Sequence, residues 1–198
     1  MPPETTARPG LRERKKAKTR AAIQAHALRL FAEHGYHATT VEQIADAAEV
    51  SPSTFFRYFP TKEDVVFHDE LDPKLLAALT EQPAELSTLA AIRRSMRDVF
   101  ASLSESEAAL ELQRHDLART VPELRARMLD QFVGGLAMLS EAIAERVGRS
   151  TEDRAVRTLA AAVVGVGVEA VMATEHAPER FLEEMDAGLA QLEAGFDL

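Results

Sequence analysis

Between Thr40 and Lys62 the sequence gathers side chains suited to reversible hydrogen bonding rather than to bond making. Ser51, Ser53 and Thr54 carry short hydroxyls, Arg57 a planar guanidinium, and Phe56 an apolar edge. An arginine can donate two hydrogen bonds to a guanine edge, and an apolar ring can touch a thymine methyl. Thr40, Tyr58 and Lys62 flank this stretch as donors fit for phosphate oxygens. The chemistry on offer is recognition of duplex DNA. No comparable set exists for covalent catalysis. The six histidines are scattered at positions 26, 34, 37, 68, 115 and 176. His34 and His37 bracket Gly35, where a helix is expected to end, so they lack helical ligand spacing. H-E-x-x-H, G-x-S-x-G and a phosphate-binding glycine loop are all missing. The expectation is a non-enzyme without a cofactor or metal. Cysteine is absent, which excludes disulfides and thiolate metal sites and fits a cytoplasmic setting.

Such groups need a rigid carrier, and the apolar periodicity supplies one. Ile23, Ala27, Leu30 and Phe31 mark one stripe of a first helix, closed by Gly35. Thr40 and Gln43 have capping-box spacing before a second helix carrying Val41, Ile44, Ala45 and Ala48. After a turn at Glu49-Val50, Ser51 caps a third helix with Pro52 at its first position, ending before Pro60. Phe55 and Phe59 are four apart and are expected to face inward. Phe56 lies about 100° away round the helix and must point elsewhere. Two short helices joined by a tight turn form a helix-turn-helix.

The remainder also reads as helical, over 62–80, 86–103, 105–119, 122–147, 151–176 and 178–195, with no strand pattern. The fold class is all-α: an N-terminal three-helix helix-turn-helix domain joined to a C-terminal helical ligand-binding and dimerisation domain. The expected organisation is a disordered arm over 1–10, the helix-turn-helix domain over 11–61 and the helical domain over 62–198. The helix starting at Thr61 is the expected lever between the two domains.

Net charge is −9, yet its distribution is uneven. Residues 8–29 hold eight basic residues against Glu13 alone, while residues 69–198 hold 13 basic and 24 acidic residues. A polyphosphate would be drawn to the first region and repelled by the second. No apolar stretch is read as reaching the ~20 residues of a membrane span. The first residues lack the apolar core of a signal peptide, and only Leu11 and Ala17 are apolar over 11–20. No membrane partner is expected. The alternative is a protein-recruiting helical module without sequence-specific DNA binding.

The run GYHATTVEQIADAAEVSPSTFFRYFPTKEDVV, residues 35–66, resembles the DNA-binding domain of the TetR family of bacterial transcriptional regulators. The Gly-Tyr pair, Thr-Thr-Val, Ile-Ala, Val-Ser and Tyr-Phe-Pro-x-Lys-Glu carry the resemblance, with the basic helix before them. It implies a homodimer on a near-palindromic double-stranded operator, acting mostly as a repressor and released by a small-molecule effector. It also implies phosphate contacts at Thr40, Tyr58 and Lys62, and groove contacts along Ser51, Pro52, Ser53, Thr54, Phe56 and Arg57. Many members have Lys-Gly or Arg-Gly where this chain has Pro52-Ser53. The variant Thr-Phe-Phe-Arg-Tyr-Phe-Pro-Thr-Lys-Glu-Asp is similar to a subgroup with acyl-CoA-like effectors.

The C-terminal candidates follow from helix faces. Leu159, Val163, Val166 and Ala170, with Leu182, Met185 and Leu189 on the next helix, are the expected dimer interface. Gly165 and Gly167 suggest close backbone approach or a bend beside the pocket. Phe100, Met128 and Phe132 are candidate apolar ligand contacts, with Arg114, His115 and Arg119 as polar ones.

Overall fold

A computed structural model describes residues 10–68, 71–174 and 177–196 of the chain. Among these residues every regular element is a helix. The arm expected over 1–10 lies, but for Gly10, outside the described residues. The chain divides into two compact units, the first closing at His68 rather than at Thr61.

The first unit contains α1 (Leu11–His34), α2 (Val41–Ala47), α3 (Pro52–Tyr58) and α4 (Lys62–Phe67). Each start after α1 obeys a local rule. The Thr40 hydroxyl accepts from Gln43 N–H at 3.2 Å, and the Gln43 side chain accepts from Thr40 N–H at 2.8 Å. The Ser51 hydroxyl accepts from Thr54 N–H at 3.1 Å, with Pro52 in the first turn. The Thr61 hydroxyl accepts from Asp64 N–H at 3.3 Å. The turn between α2 and α3 is a Schellman closure: Glu49 N–H donates to Asp46 O and Val50 N–H to Ala45 O. It puts Glu49 at a φ of 54°, a left-handed value. Ile23, Ala27, Leu28, Phe31, Ile44, Phe55 and Phe59 form the core. Val65 and Val66 of α4 are buried as well, and α4 packs on α1, which is why the first unit runs past Thr61.

The helix expected over 62–80 is therefore corrected. α4 stops at Phe67, and His68 is extended with φ −69° and ψ 112°. α5 is a separate helix, Leu71–Glu81. The last turn of α4 is met from α1, where the buried Gln24 amide donates to Val65 O at 2.9 Å and His68 O at 2.8 Å. These are the orphan carbonyls that a helix end leaves open.

The second unit continues with α6 (Thr88–Ala101), α7 (Glu105–Thr120), α8 (Pro122–Val147), α9 (Arg154–Ala173), a 3₁₀ turn (Pro178–Arg180) and α10 (Phe181–Ala194). Its core draws Leu79 from α5, Ile92 from α6, Ile143 from α8, Val156, Ala160 and Val163 from α9, and Leu189 from α10. Arg93 of α6 holds Asp186 of α10 by two parallel hydrogen bonds of 2.9 Å each. That guanidinium lowers the Asp186 pKa against the opposing pull of burial. Arg146 of α8 fastens the bend after α5, donating to Gln82 O at 3.0 Å, Pro83 O at 2.6 Å and Leu86 O at 3.2 Å.

α9 corrects two further expectations. It runs for 20 residues and is long and apolar enough to cross a membrane by length and composition, contrary to the reading that no such stretch exists. Four of the seven residues expected at a dimer interface also face inward. Val163, Ala170, Met185 and Leu189 are buried in this chain's own core. Leu159 and Val166 pack against that core, and Leu182 is half-buried. A helix that is apolar almost all round cannot show from sequence which side its own chain covers. The side left open carries Thr158, Ala161, Gly165 and Met172, with Val168 half-buried. Close backbone approach occurs at Gly188 instead, where an added Cβ would lie 2.6 Å from Val166 Cγ1. At Gly165 it would meet nothing within 4 Å.

Candidate nucleic-acid interface

α3 is a two-sided rod. Phe55 is 0% exposed and Phe59 1%, anchoring one side, whereas Phe56 is 49% exposed on the other. The Phe56 ring is held edge-on against Phe55 at 5.4 Å. Arg57, Ser51, Pro52 and Ser53 are exposed, and Thr54 is half-buried. The Ser51 hydroxyl lies 2.9 Å from those of both Ser53 and Thr54, a three-hydroxyl cluster at the start of the rod. At its other end the Arg57 guanidinium carbon sits 5.5 Å from the Tyr58 ring centre. Arg20 of α1 lies 5.9 Å from the same ring. Two cations thus flank one phenol, a concentration of positive charge beside the apolar contact.

Thr40 is exposed at the head of α2, its oxygen engaged by Gln43 N–H while its hydroxyl proton remains available. Lys62 behaves differently from the expectation of a phosphate holder. Its ammonium turns into the protein, donating to Tyr36 O at 2.9 Å and Thr39 O at 3.1 Å, and rests 4.1 Å from the Tyr36 ring centre. It fastens α4 to the turn between α1 and α2. Beside it the Tyr36 hydroxyl donates to Glu63 at 2.9 Å. Burial alone would raise the Glu63 pKa. Hydrogen bonds from its own amide, Tyr36 and Thr61, with the Lys62 charge, outweigh this and lower it. The same turn is held by Thr39, 1% exposed, whose hydroxyl reaches Gly35 O at 2.9 Å and Leu30 O at 3.2 Å. Sequence reasoning missed Gln24, Thr39 and the inward role of Lys62. The partners of Gln24 and Lys62 lie 23 to 44 residues away, and no local spacing rule reaches that far.

In the second unit a cavity of about 160 Å³ lies among α6, α7, α9 and α10. Phe100, His115 and Arg119 line it, as expected, with Leu112, Phe181 and Leu182. The His115 ring stacks on Phe181 with centres 5.4 Å apart. Arg119 is paired with Asp116 at 2.6 Å, and Glu111 and Glu179 also line the walls. A neighbouring hollow of about 330 Å³ shares Phe100 and Leu182 and adds Arg93 and Arg97. Three expected ligand residues are not in either lining. Arg114 is buried and bonded to Glu111 at 2.5 Å. Met128 and Phe132 belong to α8, which packs on α5, α7 and α9 rather than walling these cavities.

A two-sided rod presented by a capped helix-turn-helix, in a chain whose second unit is a bundle with a partly open cavity, defines a DNA-binding transcriptional regulator. The chain belongs to the TetR family. Residues 23–68 match the model for bacterial regulatory proteins of the tetR family, and residues 86–197 match the MftR C-terminal domain. It is 38% identical to the HTH-type transcriptional regulator TcmR of Streptomyces glaucescens, over 73% of this chain and 67% of that one. Among solved structures, a TetR-family regulator from Syntrophomonas wolfei superposes with a TM-score of 0.64 at 18% identity, covering 91% of this chain and 97% of that one. The TetR-family repressor FadR of Thermus thermophilus, solved in complex with lauroyl-CoA, superposes with a TM-score of 0.55 at 24% identity, covering 90% and 95%.

Proposed function

We propose that the chain is a repressor that binds a near-palindromic operator as a homodimer and is released by a small-molecule effector. The observation that carries this reading is the division of α3 into a buried side at Phe55 and an open side at Phe56 and Arg57. An aromatic ring left in water beside an exposed guanidinium is suited to a base-pair edge. The recognition segment is Ser51, Pro52, Ser53, Thr54, Phe56 and Arg57, with Thr40 and Tyr58 on phosphates. The test is a gel shift over a panel of operators substituted one base pair at a time. Arg57→Ala relaxes preference at one position; equal losses at all positions reject the assignment.

Homodimerisation is supported by the open side of α9. Thr158, Ala161, Gly165, Val168 and Met172 alternate by three and four residues, the spacing of a helix-pairing seam. A second copy would cover this face and set the two rods one DNA turn apart, about 34–36 Å. Val168→Glu with Met172→Glu is expected to give monomers in sedimentation velocity and to abolish operator binding. A dimer that survives both changes rejects this seam. The effector would enter the cavity beside Phe100, His115 and Phe181, favouring a conformation with a different spacing. The apolar walls fit the chain of an acyl-CoA-like effector. Glu111, Asp116 and Glu179 would keep its anionic head outside. Thermal stabilisation by lauroyl-CoA but not by free CoA is the expected result, and its absence rejects that effector class. All of this would take place on DNA in the cytoplasm.

A further inference from the structure

The first turns of α1 have no structural duty in their own chain. Residues 11–18 are all exposed, and the first buried side chain is Ile23. Eight helical residues without a packed face add little stability of their own in water. Here three features weaken them further. Arg12 and Lys16, Arg14 and Lys18, and Lys16 and Arg20 set like charges four apart. These cations, joined by Lys15, crowd toward a helix N-terminus, where the dipole opposes positive charge. None of Arg12, Arg14, Lys15, Lys16 and Lys18 has an acidic partner among the described residues. A dense line of anions reverses all three penalties together.

The direction of this basic helix is fixed at one point. Arg12, Lys16 and Arg20 fall within an arc of about 80°. The last of them places its guanidinium 5.9 Å from the Tyr58 ring, which Arg57 approaches to 5.5 Å. The cationic stripe of α1 therefore runs without a gap into the end of α3. Arg20 Nε is buried without a hydrogen bond, and no carboxylate pairs with this guanidinium among the described residues.

We infer that residues 11–20 form a second DNA contact, gripping the sugar-phosphate backbone next to the half-site that α3 reads. This rests on α3 being the reading helix. The contact is sequence-blind: it adds affinity and salt dependence without base preference. It also orders the helix, so the first turns of α1 gain amide protection when DNA is bound.

The test uses the full chain with Arg12→Ala and Lys16→Ala together, beside Arg154→Ala with Arg157→Ala as a charge-matched control in the second unit. The plot of log affinity against log salt becomes shallower by about 0.9 for each phosphate no longer neutralised, so by about 4 for a dimer. The hydroxyl-radical footprint shrinks at its outer edges, and base preference stays as it was. The control pair keeps slope and footprint. Because these side chains stand clear of the core, the thermal midpoint is unchanged, which shows that the variant folds. An unchanged slope and footprint overturn the inference, even while Arg57→Ala still alters base preference. Weaker binding to anionic phosphatidylserine vesicles with undiminished binding to DNA also overturns it. If neither Arg57→Ala nor this pair changes anything on DNA, the reading of α3 falls with it.

Discussion

The two units solve the same packing problem with different materials. In the first, an apolar core is supplemented by polar long-range ties: Gln24 to the end of α4, Lys62 to the turn before α2, Tyr36 to Glu63. In the second, the ties are mainly apolar, with Arg93 and Arg146 as fasteners at the margins. A unit of four helices, three of them short, has little area to bury, so hydrogen bonds add to what its core fixes. The consequence is positional accuracy for α3. The larger bundle, with more apolar area to bury, keeps a partly open cavity.

The sharpest way to break this comparison is within one helix. Phe55→Ala is expected to cost about 3–5 kcal/mol of stability, and Phe56→Ala about 0.5 kcal/mol or less. Thermal unfolding separates the two, and similar losses would deny that α3 has an inner and an outer side. Gln24→Leu should follow, at about 1–3 kcal/mol, because it leaves carbonyls of α4 without a donor in a buried place. Gly188→Ala sharpens the other half. It drives a methyl into Val166 and should cost about 1–3 kcal/mol, read from the same unfolding curves. Gly165→Ala instead should gain helix propensity in the single chain while loosening self-association, measured by sedimentation.

The smallest effect is on acid stability, and it touches both units. Glu63 and Asp186 both have lowered pKa values when folded. Each therefore adds stability that is fully present above its ordinary carboxylate range and disappears as pH falls through the folded value. Asp186→Asn should flatten the acid limb of unfolding for the second unit, and Glu63→Gln for the first. A limb unchanged by either substitution would detach these carboxylates from stability.

What could be read from the sequence was local. The Thr40–Gln43 and Ser51–Thr54 caps and the opposition of Phe55 to Phe56 follow from spacings of one to four residues. The all-helical class and most helix limits in the second unit followed from periodicity and from Pro122 and Gly148. The inward turn of Lys62 was hidden because its acceptors are backbone carbonyls, which every residue owns. The end of α4 at Phe67 was hidden because no proline or glycine marks it; a glutamine on another helix does. On α9 the apolar residues surround the axis, so choosing the covered side required the neighbours themselves.

The Arg146 fastener has a mechanical result. One guanidinium on α8 binds carbonyls spread over the bend from Gln82 to Leu86. The elbow between α5 and α6 is thereby welded. If an effector enters beside Phe100, as proposed, it would meet α5 and α6 as a tied pair rather than as two independent helices.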